Sequence, residues 1–137
     1  MRLYVACSSK HLREARGAMN RLRRDGHEIV GDWIDHYLDQ DISLGQAASF
    51  CREGINEAEA VVFLEHEEAS RGAWYEFGYA SGTSKPIFVL AGFQFPEDHI
   101  FLFSDNVTHA WTWSELLEFL REREGRPICE EVDEIPF

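Results

Sequence analysis

The residue whose neighbours best suit chemistry is Glu76. It stands among Trp74, Tyr75 and Phe77, in a stretch from Gly72 to Ser84 whose spacing predicts a helix. At about 100° per residue it lies between Tyr79 and Ala80 and close to Ala73, the side that small residues mark as packed. A carboxylate held there is poorly solvated, which raises its pKa and costs stability unless the group is paired or used. The plainer alternative is a helix glutamate that reaches water or pairs with Arg71. A second cluster, Cys7-Ser8-Ser9-Lys10, offers two hydroxyls and an ammonium where a helix should begin, and free amides there favour an anion. Ser8 or Ser9 serves equally well as a plain N-cap. Trp33 has the shape to stack on a flat base, worth about 1–3 kcal/mol, or to fill core. His66-Glu67-Glu68 lacks the spacing of a metal motif, and Cys7, Cys51 and Cys129 lack CxxC spacing, so no metal, no other cofactor and no disulfide framework are expected.

Positioning these residues requires alternating strands and helices. Leu3, Val5 and Cys7 point one way and Tyr4, Ala6 and Ser8 the other, in a run that suits a buried strand. Leu12, Ala15, Met19 and Leu22 make one helical stripe, which Asp25-Gly26 ends. His27 to Trp33 reads as a second strand and Asp35 to Gly45 as a polar loop. Ala47, Cys51, Ile55 and Ala58 form another stripe, Ala60 to Leu64 a fully buried strand, and Pro86 to Leu90 a fourth. A short apolar piece spans Val107 to Trp111. Thr112-Trp113-Ser114-Glu115 is a capping box opening a last helix through Leu116, Leu117 and Leu120. The prediction is α/β: a single doubly wound, mainly parallel five-stranded sheet in the flavodoxin-like order 2-1-3-4-5, with helices on both faces. Residues 1–124 form the domain and 125–137 an acidic tail. Ligands of such folds sit beyond the carboxyl ends of the strands where the order reverses, between strands 1 and 3. That rule nominates residues 7–10, 65–71 and the helix after them, with Asp32 and Trp33 beside them.

The 137 residues carry 13 basic and 25 acidic side chains, a net charge of −12. That balance argues against a sequence-blind hold on a nucleic-acid polymer, which needs many cations to neutralise phosphates. The apolar run from Ala60 to Leu64 is far too short for a membrane span, and Met1-Arg2-Leu3-Tyr4-Val5 opens as a strand, without a signal-peptide layout. We expect a cytoplasmic domain with no membrane contact.

Leu3-Tyr4-Val5-Ala6-Cys7-Ser8, the Ala60 to Leu64 strand, and above all Ser70-Arg71-Gly72-Ala73-Trp74-Tyr75-Glu76-Phe77-Gly78-Tyr79-Ala80 resemble the nucleoside 2-deoxyribosyltransferase family. The branch that hydrolyses 2'-deoxynucleoside 5'-monophosphates is the most similar, and the resemblance spans about residues 2 to 91. It implies that Glu76 attacks the anomeric carbon of a sugar and expels the base, with Tyr4 orienting it. Ser70 stands where monophosphate-specific members carry serine and members acting on free nucleosides carry aspartate. With Arg71 and Gly72 at a helix start, it implies a 5'-monophosphate, because a hydroxyl, a dipole end and a guanidinium attract the phosphate that an aspartate would repel. Lys10 and Arg13 align with basic residues of the phosphate loop, whose Gly-Gly pair is here His11-Leu12. Cys51 stands where the family places an aspartate, which leaves another acid, a different base or no catalysis. Asp32, Glu65 and His66 are the candidate acids at that sheet edge, Glu53 projecting about 200° away, and Cys51 serves equally as a small core residue.

The resemblance thus implies an N-glycosidase or pentosyltransferase acting on a small nucleotide, with Glu76 and Tyr4 catalytic. Ser8, Ser9, Lys10, Arg13, Asp32, Trp33, Ser70, Arg71 and Gly72 would bind the substrate. It also implies a homo-oligomer; Phe93, Phe95, Phe101 and Phe103, a loop too apolar for solvent, would form core, a lid or the subunit contact. Two other readings stand beside it. One is a TIR-like NAD glycohydrolase or signalling domain, similar in Ser70, Ala73, Trp74 and Glu76; the other is a nucleotide-binding module without turnover.

Overall fold

A computed structural model describes residues 1–38, 42–65, 71–91 and 100–126. The strands are β1 (Arg2–Ala6), β2 (Glu28–Ile29), β3 (Ala60–Glu65), β4 (Ile87–Ala91) and β5 (Val107–Ala110). The helices are α1 (Leu12–Arg24), α2 (Trp33–Leu38), α3 (Leu44–Glu57), α4 (Arg71–Gly82) and α5 (Trp113–Glu124), with short 3-10 turns at Ser9–His11 and Ile100–Phe103. All strands are parallel, in the order β2-β1-β3-β4-β5. The chain therefore leaves β1 for one edge, returns to β3 on β1's other side, and creates the expected crevice at the end of β1.

β1, β3 and β4 are apolar almost throughout because both faces of the sheet are covered. α1 and α5 share one face: the Arg21 guanidinium lies 5.3 Å from the centroid of the Trp113 ring, and Arg121 pairs with Asp25. The opposite face, to which Tyr4 points, carries α3 and α4 side by side. Those two helices are tied at their far ends. Tyr79 Oη donates to Asn56 Oδ1 at 2.9 Å, and Lys85 Nζ donates to the carbonyls of Asn56 at 2.9 Å and Ala58 at 2.7 Å. Among the described residues, no helix is long and apolar enough to cross a membrane.

Two parts of the sequence reading change. Strand 2 is far shorter than His27 to Trp33, and the stretch from Asp35 to Gly45 is not all loop. β2 stops at Ile29 because Gly31 takes the left-handed conformation, φ +62°, and turns the chain into α2. Trp33 is consequently the first residue of a helix, not the end of a strand. α3 begins at Leu44 behind a full capping box: Ser43 Oγ accepts from the Gln46 amide at 3.1 Å, and Gln46 Oε1 accepts from the Ser43 amide at 2.9 Å. The box expected at Thr112 is shifted by one residue on one side. Thr112 Oγ1 accepts from the Glu115 amide, while the Glu115 carboxylate accepts from the Trp111 amide.

The lost length of β2 is made good by a side chain. Glu28 N donates to Met1 O and Val30 N to Leu3 O, so the next rung of the ladder would fall on Val5 O. The Trp33 indole N–H occupies that rung, at 2.8 Å.

Candidate active site

A cleft of about 190 Å³ opens at the carboxyl end of β1. Cys7 and Ser9, just after β1, form its base. Trp33, His36 and Tyr37 of α2 and Ala47, Phe50 and Cys51 of α3 form one wall; Gly72, Ala73 and Glu76 of α4 close the other. The first turn of α4 reaches the cleft because α4 follows β3, the strand beside β1.

Glu76 is part-buried, and its Oε2 has no contact with solvent. Burial pushes its carboxyl up from 4.5 to about 7, and the Tyr4 phenol, which can donate to the charged form, pulls the other way. Tyr4 comes from the middle of β1 and is completely buried. Its hydroxyl is held far above the ordinary phenol range by burial first, and then by the Glu76 carboxylate and the Cys51 thiol that it faces. The phenol is therefore a permanent donor. Neither Tyr4 Oη nor Glu76 Oε2 has a partner at full hydrogen-bond geometry among the described residues. The phenol is thus close enough to favour the charged carboxylate without meeting it in ideal hydrogen-bond geometry, which leaves the contact sensitive to small changes in the reach of the ring.

The two thiols of the cleft are not activated. Burial raises Cys7 to about 12, reinforced by the Glu14 charge, and raises Cys51 as well, with Glu76 adding and Tyr4 opposing. Both remain S–H at neutral pH, which excludes a thiolate nucleophile at these positions.

The other nominated residues divide. Ser9 and Gly72 line the cleft, and Trp33 lines it while its N–H holds Val5. Ser8 is almost wholly buried and caps the 3-10 turn, its Oγ accepting from the Lys10 amide at 3.3 Å, so the capping alternative describes it. Lys10, Arg13 and Arg71 are exposed and outside the cleft wall. Asp32 is drawn to α1 instead: its Oδ2 lies 2.7 Å from Arg23 and 3.5 Å from Arg16. Two guanidiniums on α1 hold that oxygen, and Asp32 is not among the residues that line the cleft. Glu53 is exposed, as its angle on α3 requires. Phe101 and Phe103 are exposed as well. Ser70, His66, Phe93, Phe95, Cys129 and residues 127–137 lie outside the described residues, as does the side chain of Glu65.

Sequence reasoning missed His36, Tyr37, Ala47 and Phe50. The His36 ring stacks on Phe50 with centroids 3.8 Å apart, joining α2 to α3 in one aromatic wall. The signal was present: Trp33, Ile34, Tyr37 and Leu38 have helical spacing, and Ser43-x-x-Gln46 is a capping signature.

The sheet order, the crevice and the helix that closes it define a doubly wound, all-parallel α/β protein with its cleft at the switch point of the sheet. Three solved structures share this fold. A CMP N-glycosidase of Clostridium botulinum matches with a TM-score of 0.59 at 19% identity, over 88% of this chain and 98% of that one. A 2-deoxyribosyltransferase of Bacillus psychrosaccharolyticus matches at 0.64 and 15% identity, over 85% and 90%. One from Leishmania mexicana matches at 0.61 and 13% identity, over 88% and 97%. No curated protein matches the sequence. Residues 1–89 match a family model described as a domain of unknown function, DUF4406, and the chain belongs to that family.

Proposed function

We propose that this protein cleaves or transfers the N-glycosidic bond of a nucleoside 5'-monophosphate, with Glu76 as the group that meets the anomeric carbon. One observation carries the reading: the Glu76 carboxyl lines the cleft with its acidity shifted up to about 7, and a wholly buried phenol that stays protonated faces it from the core. Breaking the bond between the anomeric carbon and the base sends the bonding pair to the base nitrogen and leaves an oxocarbenium-like sugar. The Glu76 carboxylate captures that carbon as a glycosyl ester, which water or an acceptor base then resolves. Tyr4 orients the carboxylate and donates to it while it is charged. Gly72 in the first turn of α4 and Ser9, which both line the cleft, would form the phosphate end, where helix amides and a hydroxyl favour an anion; Ser70 and Arg71 join them by the family resemblance alone. Trp33, His36 and Phe50 supply flat apolar surface for the base. These names and the fold of the three solved structures support the reaction class; Ser70, by its resemblance, supports the monophosphate.

The test is a panel of ribo- and deoxyribonucleoside 5'-monophosphates, free nucleosides and NAD, assayed by chromatography for released base, with Glu76→Gln and Glu76→Ala in parallel. Base release from at least one monophosphate, lost in both variants, is expected. Undiminished release by Glu76→Ala would end the proposal, and nicotinamide released from NAD alone would transfer the chemistry to a dinucleotide.

A further inference from the structure

Tyr4 reaches Glu76 from the middle of a strand, so something must set how far its ring extends. Two glycines from different parts of the chain meet at the edge of that ring. Gly31 follows β2, in the left-handed conformation that L side chains rarely adopt, and Gly54 lies on the buried face of α3. A Cβ built on Gly54 would stand 2.8 Å from the Gly31 Cα, and 3.0 Å and 3.1 Å from two carbons of the Tyr4 ring. A Cβ built on Gly31 would stand 2.8 Å from the Gly54 Cα and 3.0 Å from the same two ring carbons. Contacts this short are backbone against backbone and backbone against a rigid ring, so no flexible side-chain end can yield. The contrast lies within the same molecule: a Cβ on Gly17 or on Gly78 would meet nothing within 4 Å.

The helix that supplies Gly54 also supplies Cys51, one turn earlier on the same face, and Cys51 faces the Tyr4 hydroxyl. α3 therefore touches the phenol at both ends, with bare backbone at the ring edge and a thiol at the oxygen. We propose that Gly31 and Gly54 are positioning residues for the Tyr4–Glu76 pair, forming a backbone slot whose width sets the reach of the phenol toward the carboxylate. The inference rests on the role proposed for that pair, but its readout is the acidity of Glu76 and does not depend on turnover.

A methyl group in the slot forces the ring or α3 to move, and the phenol then loses its hold on the carboxylate. Because the phenol favours the charged form, losing it moves the Glu76 midpoint upward from about 7. The experiment is an NMR titration of the side-chain carboxyl carbon of Glu76 in the unmodified protein, Gly54→Ala, Tyr4→Phe and the double variant, with Gly17→Ala as control. An upward shift of about one unit is expected for Gly54→Ala, a similar one for Tyr4→Phe, no further shift in the double variant, and none in the control. A folded Gly54→Ala with an unchanged midpoint, or two shifts that simply add, would overturn the proposal. If Gly54→Ala does not fold, the unmodified protein decides. A ring gripped at its edge by two backbones flips slowly and gives separate signals for its two sides at 25 °C, whereas a single averaged set refutes the slot. Shifted titrations without base release from any substrate would leave the slot standing and remove the glycosidic reading.

Discussion

Replacing Glu76 by glutamine should make this protein more stable, by an amount that grows with pH. The carboxyl titrates near 7 in the folded chain against 4.5 as its ordinary value. The folded state thus holds the proton more tightly than the unfolded state, and stability present below about pH 4.5 is lost as pH rises through 7. At about 1.4 kcal/mol per unit, the full cost of ionising the group inside the fold is about 3 kcal/mol. Most of it is in place at pH 8, and only about 1 kcal/mol at pH 5. Glutamine keeps the shape and abolishes the titration, so its advantage over the natural residue should widen by about 2 kcal/mol between those two pH values. Other titrating groups cancel in the comparison. Buried His27, for example, has its pKa lowered chiefly by burial and so destabilises the fold toward acid in both proteins alike. Urea denaturation at pH 5 and pH 8 reads the difference directly, and thermal melts at pH 8 should separate by roughly 10 °C. A constant offset between the two proteins across that range, or one that narrows as pH rises, would refute the buried carboxylate and with it the chemistry built on it.

Under the proposed mechanism base release should rise with pH through about 7, because Glu76 would attack as its carboxylate; an initial-rate profile from pH 5 to 9 that stays flat contradicts that assignment. Cys7 and Cys51 should react with iodoacetamide at pH 7.5 at least about ten times more slowly than in urea, as mass spectrometry would show, since burial keeps both as thiols. Trp33→Phe should lower stability by about 1–3 kcal/mol in urea denaturation, because it strands the Val5 carbonyl without its rung. Asp32→Ala should cost under about 1 kcal/mol in the same assay and leave KM for base release unchanged, its carboxylate being engaged with Arg23 and Arg16 near the surface.

The sheet was legible from the sequence because fully buried parallel strands announce themselves as unbroken apolar runs, as at Ala60 to Leu64. The helix bearing Glu76 was legible from its small and aromatic residues, and the observed α4 departs from the expected stretch only at its ends. β2 was misjudged because its apolar character continues past its last pairing: Val30 and Trp33 are buried without being strand. Periodicity reports burial, and at Gly31 a left-handed turn separates burial from pairing. At Asp32 the position just after β2 was readable, whereas the pairing of one carboxylate oxygen with Arg23 and Arg16 of α1 was not, because nothing local in the sequence links them. The aromatic wall went unseen because a six-residue helix gives too short a pattern to outweigh the polar residues after it.

The latch at the far ends of α3 and α4 determines which part of the cleft is free to give. Lys85 and Tyr79 clasp the last turn of α3 to α4 and to the chain leaving it, so the helix carrying Cys51 and the helix carrying Glu76 travel as one body. Prising them apart to admit a ligand would break three hydrogen bonds at once. α2 is anchored at its first residue by the Trp33 rung, and farther along by a surface pair of Asp35 with Arg16. With His36 stacked on Phe50 of α3, room to give at the mouth is left to the exposed ring of Tyr37, beyond a tryptophan that is pinned to the sheet.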